Sequence, residues 1–165
     1  MSTIFSRAVL FLPAVLIICA TASTSAQTRV PQFKDYPVAE RYAGKTAPLV
    51  LTRDSRMYRT MLRDAADKRP NFAGHYILAT WGCGAGCVMG YVIDAKTGVI
   101  RSLPFTICCW PFDVGDNFEP VDFRLDSKLI IFTGARNEKG NGTYYYKFEH
   151  DRFVPVREIE KPAHN

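Results

Sequence analysis

The stretch HYILATWGCGAGCVMGYVIDAKTGVIRSL, residues 75–103, decides the architecture. His75 to Trp81 is an apolar, β-prone run, Val88 to Ile93 is a second and Val99 to Leu103 a third. Asp94, Ala95, Lys96, Thr97 and Gly98 supply a polar turn between the last two, and a Gly- and Cys-rich link joins the first two. Short apolar runs joined by such brief turns predict consecutive antiparallel strands, a β-meander.

Downstream the pattern returns. Lys128 to Thr133, Thr143 to Phe148 and Phe153 to Val156 form a second triplet, joined by a polar Gly-rich loop (Gly134 to Gly142) and a tight turn (Glu149 to Arg152). The triplets superpose with an offset of about fifty residues, Tyr91 and Val99 falling near Tyr145 and Phe153, as internal repeats do. Two copies are too few for a propeller. The expectation is one antiparallel sheet of about six strands, made of two three-stranded meanders.

Upstream, Thr52 or Asp54 caps a helix running to about Lys68 and stopped by Pro70. Met57, Tyr58, Met61, Leu62 and Ala65 share one arc of roughly 140°, and Arg56, Arg59 and Arg63 the opposite, wet face. Helix and sheet make an α+β fold, with one N-terminal amphipathic helix packed on the strands. Before the helix, residues 27–48 read as an extended arm, with Pro31, Pro37 and Pro48 among Phe33, Tyr36 and Tyr42, and Leu49 to Thr52 as a short closing strand. Residues 49–165 form the single globular domain.

Residues 1–26 read as a secretory signal peptide, with Arg7 before an apolar run from Ala8 to Ala20 and small residues up to Ala26. The run of 13 residues is short for a bilayer span, which needs roughly 20. A lipoprotein reading of Cys19 fails on the bulk of Ile18 before it. The expected location is therefore the periplasm or the medium, with no membrane association after cleavage. Cleavage removes Arg7, so the formal charge falls from 21 − 16 = +5 to 20 − 16 = +4. This mild basicity lacks the clustered basic surface and motifs of nucleic-acid binding.

Cleavage also removes Cys19, so 5 − 1 = 4 cysteines remain, Cys83, Cys87, Cys108 and Cys109. An even number in an oxidising compartment predicts disulfides. Four of the 11 glycines lie in Gly82 to Gly90, so a Cys83–Cys87 bridge would cinch a rigid loop poor in side chains. The favoured scheme pairs Cys83 with Cys87 and Cys108 with Cys109, against two crossed alternatives. A thiol oxidoreductase prefers two residues between its cysteines at a helix N-terminus, and the spacings here fit zinc poorly. No metal or other cofactor is expected. His75, at the start of the first strand, is the candidate base of a cysteine-dependent enzyme, although a histidine there is more simply structural. Asp113, Asp116, Glu119, Asp122 and Asp126 read as a solvated loop between the triplets, and Asn141-Gly142 as a hairpin turn.

The order of helix, strand, cysteine-bracketed loop, strand, turn and strand, then the strand entered through Leu125 to Gly134, resembles the Ivy-type periplasmic inhibitors of C-type lysozyme. The resemblance spans roughly Arg53 to Gly134 and implies a disulfide-closed loop that enters an enzyme cleft. Where that family's loop carries a histidine, this one holds Gly84, Ala85 and Gly86. Asn71 to Cys87 is also similar to small exported bacterial proteins with no assigned activity. The functional expectation is an exported binding module, an inhibitor of a secreted enzyme, with another secreted or periplasmic protein as partner. Its candidate contact residues are His75, Trp81, Gly84, Ala85, Gly86 and Trp110. The alternatives are a thiol- or His75-dependent enzyme or redox protein, and an envelope structural protein.

Overall fold

The computed structural model describes residues 29–110, 115 and 117–161. Residues 1–26, where a signal peptide is expected, and Asp113 and Asp116 lie outside the described residues.

Among the described residues the sheet has eight strands, all pairs antiparallel, where about six are expected. β1 (Tyr76–Gly84) and β2 (Cys87–Asp94) form a long hairpin from Tyr76↔Asp94 to Gly84↔Cys87. On its other side β2 is shared: Tyr91 to Ile93 pair with β3 (Ile100–Ser102), whereas Cys87 and Val88 pair with the two-residue β4 (Ile107–Cys108). β4 in turn pairs with β6 (Leu129–Arg136), followed by β7 (Lys139–Glu149) and β8 (Arg152–Glu160). β5 (Val121–Phe123) lies against Ile130 to Phe132 of β6. The two additions explain the corrected count. β4 is too short to show a period, and β5 sits inside the acidic segment expected to be loop.

The expected loop from Gly134 to Gly142 is also mostly paired. Gly134 faces Gly142 and Arg136 faces Lys139, so β6 and β7 turn at Asn137-Glu138, with φ +49° and +65°. Two successive left-handed residues make the mirror-image turn whose twist suits a hairpin, and His150-Asp151 repeat it between β7 and β8. Asn141-Gly142, expected to be the turn, lies instead within β7.

Ring contacts show that the sheet curls. β1 and β7 are four strand steps apart, about 19 Å in a flat sheet at ~4.8 Å per step. Yet the rings of Tyr76 and Phe148 are 4.9 Å apart at 89°, and the Tyr76 hydroxyl donates to Asp151 Oδ1 at 3.1 Å. The curl wraps one core in which Leu78 and Val92 join Ile130, Phe132, Tyr144 and Phe148. The opposite face of the hairpin, Ile77, Tyr91 and Ile93, packs with Ile100 under the helix through Leu62 and Ala65.

That helix is shorter than expected, a 3₁₀ turn (Ser55–Tyr58) leading into α1 (Arg59–Ala66). Thr52 opens it: its Oγ1 accepts from Ser55 N–H at 3.2 Å, and Ser55 Oγ accepts from Thr52 N–H at 2.8 Å. A 3₁₀ turn advances about 120° per residue rather than 100°. The expected apolar arc is therefore broken at its start, leaving Met57 76% exposed; within α1 itself Leu62 and Ala65 are buried and Met61, at the edge of the arc, is 44% exposed.

Along the arm, Val38 N–H donates to the Asp126 carbonyl, Lys128 N–H to that of Tyr36, and buried Ser127 donates its hydroxyl to the Phe33 carbonyl at 2.8 Å. The expected strand Leu49 to Thr52 reduces to one parallel bridge, Val50↔Val99. It forms because Gly98, at φ +75°, lets the Pro48 carbonyl approach where a Cβ would stand.

Candidate functional site

Cys83 and Cys87 close the tip of the β1–β2 hairpin with a disulfide, their Cα atoms 5.1 Å apart. The ladder slips by one residue between Gly82 and Gly84, and Gly84 (φ +146°) and Gly86 (φ +60°) take up backbone angles that L side chains rarely adopt. A Cβ at either glycine would meet nothing within 4 Å, so the tip stands in open solvent. Gly84, Ala85 and Gly86 are all exposed. Behind them Trp81 is half-buried, stacked on Tyr91 at 5.7 Å and tilted against Tyr58 at 5.2 Å. These contacts brace the hairpin just behind its tip against the turn that leads into α1.

Register brings the second cysteine pair to the same place. Cys108 stands directly opposite Cys87 across the β2–β4 ladder. The expected Cys108–Cys109 disulfide is not formed: both are free thiols, with sulfurs 2.7 Å apart. Adjacent Cα atoms are ~3.8 Å apart, below the usual disulfide range of about 4.4–6.8 Å, so a vicinal bridge demands distortion that a paired strand resists. Cys108 is buried, and burial, reinforced by the neighbouring Cys109 sulfur, pushes its thiol up to about 11. Cys109 is exposed, in the left-handed region at φ +58°, and its carbonyl accepts from Asn141 Nδ2 at 3.2 Å. Trp110 follows it, half-buried against the curled core, its ring 6.1 Å from that of Phe118.

His75 lies at the other end of the hairpin. Its neighbour Tyr76 pairs with Asp94, seven residues along β2 from Cys87 and therefore ~23 Å away at about 3.3 Å per residue. His75 Nε2 is 3.8 Å from Asp94 Oδ1, and its ring is 4.0 Å from that of Tyr76. Burial holds the imidazole below its ordinary pKa, outweighing the attraction of Asp94. Asp94 is itself engaged, accepting from Lys96 N–H and Thr97 Oγ1, each at 2.8 Å, to hold the β2–β3 turn. His75 thus cannot act as base to any of the described cysteines.

One charged cluster escapes the sequence reading. Arg136 of β6 makes a two-point contact with the Glu158 carboxylate, lies 3.6 Å from Glu160, and rests 3.9 Å above the ring of buried Tyr144. Only the β6–β7–β8 register brings these residues together, so no local sequence signal marks them.

Among the described residues no group of His, Cys, Asp or Glu is arranged to hold a metal ion, and no helix is long and apolar enough to cross a membrane. No protein-family model, curated protein or solved structure matches the chain.

Proposed function

We propose that the protein is an exported binding module that inhibits a secreted enzyme by inserting the Cys83–Cys87 tip into a cleft. The observation that carries this reading is the tip itself, fully exposed, closed by a disulfide and free of any side chain larger than that of Ala85 between its cysteines. Such a tip offers backbone N–H and carbonyl groups to a partner at little entropic cost, because the bridge and the ladder already fix its shape. Trp81, held by Tyr58 and Tyr91, supplies a preformed aromatic shoulder beside it. The distance of His75 from the cysteines disfavours the cysteine-histidine enzyme as the rival reading.

The test is inhibition of C-type lysozyme and of a panel of other secreted hydrolases by the wild-type protein and by the double variant Cys83→Ser with Cys87→Ser. The expected result is inhibition of at least one enzyme, weakened tenfold or more in a double variant whose circular dichroism is unchanged. Equal inhibition by both proteins, or none by either, overturns the reading.

A further inference from the structure

Two of the described cysteines meet in a single register, and each lies beside another cysteine. Cys87, already bonded to Cys83, faces Cys108 across the β2–β4 ladder, and the Cys109 sulfur lies 2.7 Å from that of Cys108. Residues directly opposite in an antiparallel ladder project their side chains to the same face. Their Cα atoms are ~4.5–5.5 Å apart, inside the range a disulfide spans. Cys87 thus has two bonding partners within reach, one along its own hairpin and one across the next strand.

We propose that Cys83, Cys87 and Cys108 form a thiol–disulfide exchange site in which Cys87 passes its bond from Cys83 to Cys108. The Cys108 sulfur attacks Cys87 Sγ, the Cys87–Cys108 bond forms and the Cys83–Cys87 bond breaks. Cys83 leaves with the electron pair. Cys108 gives up its proton by way of the adjacent Cys109 sulfur, and the departing Cys83 takes one up. One disulfide and two thiols stand on each side of the step, so it needs no external oxidant or reductant. Its product differs in one respect that matters: the thiol now at Cys83 is on an exposed tip, accessible to disulfides of other exported molecules, whereas Cys108 is buried.

Attack requires the Cys108 thiolate, and burial keeps that thiol protonated up to about 11. The exchange is therefore slow near neutrality and accelerates roughly tenfold per pH unit as the thiolate fraction grows.

The native protein is incubated at pH 7, 8 and 9, quenched in acid, labelled with a maleimide and digested without reduction for mass spectrometry. The expected result is a Cys87–Cys108 cross-linked peptide with label on Cys83, appearing about tenfold faster per pH unit. Cys109→Ser keeps this product, and Cys108→Ser and Cys108→Ala abolish it. Label confined to Cys108 and Cys109 at every pH overturns the proposal, and because the wild-type chain alone gives this result, it holds even if a variant fails to fold. The label reads chemistry in the absence of any partner, so it is independent of whether the tip inhibits an enzyme.

Discussion

The side-chain amide of Asn71 grips the free edge of β1 at one residue, Leu78: Asn71 Oδ1 accepts from the Leu78 N–H at 2.8 Å and Asn71 Nδ2 donates to the Leu78 carbonyl at 3.0 Å. An amide side chain thereby does for one position what a further strand would do, and satisfies both backbone groups of a buried residue. Asn71→Ala should lower stability by about 1–2 kcal/mol, the worth of two such bonds. Asn71→Asp should recover little of this, because a carboxylate can accept from the N–H but repels the carbonyl. Urea denaturation of the two variants checks both statements.

The helix gives a paired prediction. Leu62 is completely buried, so Leu62→Ala should cost ~2–5 kcal/mol, as other large-to-small core changes do. Met57, on the same expected arc but turned out by the 3₁₀ start, should accept lysine with a change within about 0.5 kcal/mol. Comparable losses in both variants would mean that the helix is rotated from the position described.

The contrast between these residues shows what the sequence makes legible. Apolar runs such as His75 to Trp81 and Val88 to Ile93 announce strands because their chemistry is local, and the Cys83–Cys87 bridge follows from the short loop it closes. β4 and β5 leave no such mark, because two or three residues carry no period and their strand character comes from β2 and β6. Dipeptide preference alone points to a turn at Asn141-Gly142. The ladder puts it at Asn137-Glu138, since pairing over the whole hairpin outweighs the preference of one dipeptide. The thiols of Cys108 and Cys109 and the Arg136 cluster share this cause, as partners distant in sequence decide both.

Gly98 makes a third prediction. A Cβ there would collide with the Pro48 carbonyl, and the residue sits at φ +75°, where L side chains cost roughly 1–2 kcal/mol in backbone strain alone. Gly98→Ala should therefore destabilise by more than about 1 kcal/mol and release the Val50↔Val99 bridge. Faster amide exchange at Val50, whose N–H donates to the Gly98 carbonyl at 2.9 Å, would report it.

A fourth prediction concerns acid. Burial holds His75 below its ordinary value of 6.5, so the unfolded chain binds the His75 proton more tightly than the folded one. This contribution to stability is fully present above pH 6.5, falls as the pH drops through that value and is lost below the folded pKa. Lys96 opposes protonation of His75, whereas Asp94, Asp151 and Glu40 favour it. His75→Gln should flatten the fall in thermal midpoint as the pH drops below about 6.5, and an unchanged slope would show that another group sets it.

The two residues of β4 have a consequence for how the molecule comes apart. Ile107 and Cys108 supply the strand through which the β1–β2–β3 half of the sheet is hydrogen-bonded to the β6–β7–β8 half. A seam two residues wide is where the halves should part first, before either meander frays from within. Amide exchange at Ile107 and Cys108 should therefore outrun that at Val92 and Tyr145, each held within a longer ladder. Among the described residues the one buried free thiol lies on that seam, so the breathing of the two halves decides how often it meets solvent.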